Sequence, residues 1–155
     1  MIHARGAILL LATLALACRP DRGGSAELGT MSITHAVVPA PASPSEATAF
    51  LTIDNTGLEA DTLVDASSPE AERVVLHQMT GGRMQAVSVL VIPPGGPVRL
   101  APGSFHAMLT GLTRPLVAGD AVTLQLHFAR AGQIAVRAPV LRFTEAVEEG
   151  SPTHH

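Results

Sequence analysis

Val74-Val75-Leu76-His77-Gln78-Met79-Thr80-Gly81-Gly82-Arg83-Met84 is the stretch that decides the fold. Its first half has the two-residue period of a strand, so Val75, His77 and Met79 share one face. The Gly81-Gly82 pair suits a two-residue hairpin turn, whose central residues need positive φ. Such a turn sets Met79 opposite Met84 and His77 opposite Ala86, bringing His77, Met79 and Met84 to one side, with directly opposed Cβ atoms about 5 Å apart.

Working outward, the same grammar repeats. Candidate strands are Ser32–Val38, Thr48–Asp54, Asp61–Ala66, Glu72–Met79, Met84–Ile92, Val98–Ala101, Phe105–Thr110, Val122–Phe128 and Gln133–Leu141. Between them lie turn formers, among them Asn55-Thr56-Gly57, Pro93-Pro94-Gly95-Gly96, Pro102-Gly103 and Ala118-Gly119-Asp120. No segment sustains a helical period, although residues 69–73 have room for one turn. Many short strands with regular turns predict an all-β antiparallel sandwich, and 155 residues suit a single domain.

Composition narrows the function. Apolar residues make up 46% of the chain and charged ones 15%, which excludes general disorder. All ten basic residues are scattered arginines and the formal net charge is −3, so no basic patch for nucleic acid exists. With four Phe and no Trp or Tyr, stacking platforms for bases or sugars are missing too.

The first 17 residues read as an export signal: a short basic start (His3, Arg5), then an apolar run from Gly6 to Ala17. That run is too short to span a bilayer. It stops at Cys18, the only cysteine, and Leu14-Ala15-Leu16-Ala17-Cys18 resembles a bacterial lipobox, with Ala15 where Leu is usual. The expectation is a lipidated Cys18 on an exported, envelope-located protein; the alternative is an ordinary signal peptide cleaved nearby. Residues 18–29 read as a flexible tether, 30–145 as the domain, and 146–155 as a disordered tail. Lipidation would leave the domain without a free thiol, which suits an oxidising compartment.

The chemistry gathers in methionines and histidines. Met79, Met84 and Met108 lie with His77 and His106 between residues 77 and 108, and His106-Ala107-Met108 sets a His and a Met on one strand face. If the two segments are neighbours, two imidazoles and at least two thioethers meet. Hard cations do not use thioethers, and zinc sites draw on Cys, His or carboxylate. A His/Met set points to Cu(I), while the lack of a cysteine within the domain disfavours a blue-copper site. The histidines must be neutral to bind, so affinity should weaken as pH falls through about 6.5. Against this stands the plainer reading, in which the methionines are core and the histidines solvated. Ser104 beside His106 has no orienting acid in sight, so no catalytic triad competes and no enzyme is expected.

From Phe50 to Val140 the chain resembles the periplasmic copper chaperone family known as PCuAC. The resemblance runs through Phe50-Leu51-Thr52-Ile53-Asp54-Asn55-Thr56-Gly57, Asp61-Thr62-Leu63-Val64, Val75-Leu76-His77, Ile92-Pro93-Pro94-Gly95-Gly96 and 100–109, and continues through 111–116 and 118–120. The family pattern is a His, a Met about ten residues on, then twenty-one residues and His-x-Met. Here twenty-one residues separate Met84 from His106, but only six separate His77 from Met84. The hairpin is thus about four residues short. The resemblance implies a cupredoxin-like Greek-key sandwich, with Cu(I) held by His77, Met84, His106 and Met108. Met79 faces the same way and either replaces Met84 or adds a sulfur. It also implies carriage of copper in the periplasm to an acceptor such as cytochrome c oxidase subunit II. An anchored interaction module without metal, or a copper buffer, are the alternatives. His35, His127 and the terminal His154-His155 fall outside the pattern.

Overall fold

The computed structural model describes residues 22–150; the leader, Cys18 and the terminal histidines lie outside the described residues. The strands are β1 Gly24–Leu28, β2 Met31–Pro39, β3 Glu46–Asn55, β4 Asp61–Ser67, β5 Ala71–Thr80, β6 Arg83–Ala86, β7 Leu90–Ile92, β8 Val98–Leu100, β9 Phe105–Leu112, β10 Ala121–Phe128 and β11 Gly132–Leu141. One helix follows, α1 Phe143–Gly150.

Strand order is β6-β5-β9-β8-β3-β2-β11-β10-β4-β7, with β1 paired to β2. The parallel β2–β11 junction, through Val38↔Val140, divides this order into two halves. Their inner faces share one core, in which Leu51, Ile53 and Leu109 of one half join Leu63, Leu124 and Leu126 of the other, all at or near zero exposure. Strict alternation in β10, where every second residue is buried, shows how the period-two pattern turns apolar residues inward. Non-consecutive neighbours such as β5–β9 and β3–β8 give the sandwich its Greek-key character, and the fold is cupredoxin-like.

Two polar side chains tie the ends. The Asp61 carboxylate accepts backbone N–H bonds from Thr62 (2.7 Å), Arg130 (2.9 Å) and Ala131 (2.8 Å), pinning β4 to the β10–β11 turn. Asn55 donates to the carbonyls of Glu59 and Ile92 and accepts from the Gly57 N–H.

Four expectations need correction. The tether is partly a strand, because Gly29, at φ 60°, supplies a tight turn that pairs Leu28 with Met31. The candidate strand 84–92 is two strands in different halves. The Val87 N–H closes the first hairpin on the Leu76 carbonyl, after which β7 crosses to pair with β4. The break falls at Ser88, which forms a bend between Val87 and Val89; with no Gly or Pro beside it, the stretch reads as one strand. Residues 69–73 hold no helical turn; β5 begins at Ala71. Residues 146–150 are not a disordered tail but the end of α1, held by Ala146, which is fully buried against Val37 and Phe50.

Candidate metal centre

On β5, Val74 and Leu76 point into the core, so Val75, His77 and Met79 take the outer face. On β9, Ala107 and Leu109 point inward, and His106 and Met108 take the same outer face. Register then does the assembly. His77 pairs directly with His106 and Val75 with Met108 across β5–β9, while Met79 pairs with Met84 across β5–β6. Gly81 and Gly82 turn the hairpin at φ 57° and 76°, as the sequence predicts.

The two imidazoles stack with centroids 5.6 Å apart and planes inclined by 28°. His106 is only 7% exposed, and its Nδ1 lies 3.4 Å from the Ser104 carbonyl oxygen, not aimed at a hydroxyl in catalytic fashion. The Nδ1 of His77 is buried without a hydrogen-bond partner. Buried polar atoms are seldom left so, and an orphan asks for an explanation. Burial, and next the neighbouring His106, hold the His77 pKa below 6.5. A neutral ring with a free lone pair results, the form that binds a metal.

Thioethers flank the imidazoles. Met108 is half-buried and lies beside Thr48 of β3. Together with Phe50, Phe143 and Glu46 it lines an open, largely apolar cleft of about 580 Å³. Met79 is half-buried, and Met84 at the sheet edge is 49% exposed. Among the described residues no three His, Cys, Asp or Glu side chains converge, so the patch offers nitrogen and sulfur without carboxylate. His35 stands apart on β2 at φ 54°, and His127 sits between Asp65 and Gln133 in the other half. Sequence reasoning missed the β5–β9 register and the cleft beside Met108, because both depend on pairing between distant segments.

The site and fold define a cupredoxin-like domain with a soft His/Met patch on one sheet face. Residues 31–140 match the family described as "Putative lipoprotein LpqE-like", and the chain belongs to that family. The curated protein "Putative lipoprotein Lxx21020" of Leifsonia xyli subsp. xyli is 35% identical over 105 residues, covering 64% of this chain. The chain spans 63% of the length of that relative. Among solved structures, the copper-bound PCuAC domain from PmoF2 superposes with a TM-score of 0.67 at 24% identity. That match covers 76% of this chain and 97% of the other and shows the shared fold. The CuI-DR1885 solution structure from Deinococcus radiodurans gives a TM-score of 0.60 at 30% identity, covering 74% and 78%.

Proposed function

We propose that this protein is a lipid-anchored Cu(I) chaperone of the cell envelope, carrying copper on the patch of His77, His106, Met108 and the hairpin methionine Met84, with Met79 beside it. The observation that carries the reading is the stacked His77–His106 pair, with an orphaned Nδ1, in a surround of thioethers. The donor set fits the cargo: neutral imidazole and thioether are soft ligands, and no carboxylate competes for a hard ion. Copper bound in the PmoF2 and DR1885 relatives supports it.

Bound copper would stay Cu(I) throughout, and release would proceed by ligand exchange with an acceptor of higher affinity. Neutral thioethers need no deprotonation and form no disulfides, so the patch works where thiols are oxidised. The anchor would be Cys18, and the acceptor an envelope protein such as cytochrome c oxidase subunit II. A transfer experiment tests this: copper-loaded protein is mixed with the metal-free soluble domain of that subunit, and copper is measured after separation. Copper should move to the acceptor; copper remaining on the donor would contradict delivery and leave a buffer. An anchored interaction module is the second reading, favoured by the apolar cleft at Phe50 and Phe143.

A further inference from the structure

We propose that the end of the sandwich bearing Phe143 and the 39–45 connection rests on the bilayer that holds Cys18, so that the domain stands on the membrane in one orientation. The inference rests on the lipid-anchored reading above and adds the surface that meets the lipid.

The tether is shorter than its sequence suggests. β1 takes up residues 24–28, so only residues 19–23 separate Cys18 from the first strand. That strand has no slack to give. Gly24 pairs with Ala36 of β2, and a Cβ on Gly24 would collide with the Arg137 carbonyl oxygen of β11. Arg22 is itself held beside α1, its guanidinium 3.9 Å from the Glu145 carboxylate. The four residues that follow Cys18 reach at most about 14 Å when fully extended. β3 alone, ten residues long, measures about 30 Å. The domain is larger than its tether, so the face around Arg22 lies against the headgroups.

That face suits lipid. β1 runs antiparallel to β2, so the chain enters beside the Val38–Pro39 end of β2. At the same end the Ala40 N–H donates to the Leu141 carbonyl (2.7 Å), and α1 begins two residues later. Residues 39–45 carry no charged side chain, and Phe143 is 67% exposed whereas Phe50 and Phe128 are buried. Residues 39–43 and Phe143 together line the open apolar cleft, a surface that gains from cover. On a helix of about 3.6 residues per turn, Phe143, Ala146 and Val147 share one side of α1, and Glu145, Glu148 and Glu149 the other. Ala146 is buried in the fold, so Phe143 and Val147 form the flank that meets lipid while the carboxylates turn to water. Two acyl chains are enough to hold the protein. The apolar end therefore needs little affinity of its own, because the short tether keeps the bilayer at high local concentration.

The orientation decides how the copper face is presented. Met108 and Thr110 of β9 pair with Thr48 and Glu46 at the membrane end of the sheet. His77 and His106 lie further along, and the β5–β6 hairpin lies beyond them. The four residues of β5 from Val75, opposite Met108, to Met79 span about 13 Å. The hairpin is thus the end held out to a partner, and the bilayer covers the cleft side of Met108.

The test uses the lipidated protein purified from membranes and placed in phosphatidylcholine vesicles that include a nitroxide-bearing lipid. Cys18 is the only cysteine, so once it is acylated an introduced cysteine alone takes a fluorescent label. Ala42→Cys reports the membrane end. Leu58→Cys, 96% exposed in the β3–β4 loop, reports the opposite end. Both are exposed loop positions, so the fold should stand. The Ala42 label should lose most of its emission to the nitroxide, and the Leu58 label almost none. Inserting about twelve Gly and Ser residues after Asp21 adds roughly 20 Å of reach and should restore the Ala42 emission. Equal quenching of the two labels, stronger quenching at Leu58, or none at either would overturn the proposal. An Ala42 label still quenched on the long tether would overturn tether length as what seats the domain. An N-terminal peptide lacking the mass of acyl chains, on a protein that does not float with the vesicles, would overturn the lipid-anchored reading itself, and this inference with it.

Discussion

His77 and His106 oppose each other across β5 and β9 with their rings stacked at 5.6 Å, although twenty-eight residues separate them in the chain. Burial and the neighbouring ring lower the His77 pKa in the folded state. The unfolded chain therefore takes up a proton first as pH falls. Stability from this source is fully present above about pH 6.5 and declines as pH drops from there toward the depressed folded value. Denaturant midpoints at pH 7.5 and 5.5 should differ more in the wild type than in His77→Gln. Equal pH dependence in both would refute this assignment.

Asp61 should govern behaviour at lower pH. Its burial pushes the carboxyl pKa up, but the N–H groups of Thr62, Ala131 and Arg130 and the Arg130 charge outweigh that and hold it below 3.8. Its contribution is present above about pH 4 and is lost as pH falls through the folded value. Asp61→Asn keeps the shape and removes the charge, and should cost about 2 kcal/mol at pH 7. Urea denaturation at pH 7 and pH 3 checks this: the difference between wild type and variant should shrink at pH 3.

Gly82 tests the hairpin. Its φ is 76°, and no atom lies within 4 Å of the point where a Cβ would stand, so an alanine meets no clash but must adopt a left-handed backbone. Gly82→Ala should cost about 1 kcal/mol and loosen the Met79–Met84 register without disturbing the core. Amide hydrogen exchange should rise in residues 79–84 and remain unchanged in β10 and β11. Uniform acceleration throughout the sheet would argue against a local effect.

Helix α1 should be integral to the fold. Ala146 is wholly buried against Val37 and Phe50, so Ala146→Asp buries an unpaired charge. The expected loss is about 2–4 kcal/mol, read as a lower thermal midpoint. An unchanged midpoint would mean that the helix adds nothing to stability.

Much of this architecture was legible in the sequence, and the failures have physical causes. Alternation at Val75, His77 and Met79, with the paired glycines, was enough to set Met79 against Met84, because hairpin register is a local property. The juxtaposition of His77 with His106 was not, since each segment alone is compatible with several neighbours. Between Val87 and Leu90 only Ser88, where the chain bends, marked that the two ends serve different halves of the sandwich, and a lone Ser without Gly or Pro is a weak turn signal. Helix α1 was missed because Glu-rich residues 145–149 look solvated, and the single buried Ala146 is too small to register as an apolar stripe.

The central claim is that the outer face of β5 and β9 binds Cu(I). Anaerobic titration against a chromogenic chelator, comparing wild type with His106→Ala/Met108→Leu, tests it most directly. The wild type should bind its first equivalent tightly, and the variant should bind it roughly a hundredfold more weakly or worse. A folded wild-type protein that takes up no Cu(I), or a variant that binds as well as the wild type, would contradict the account.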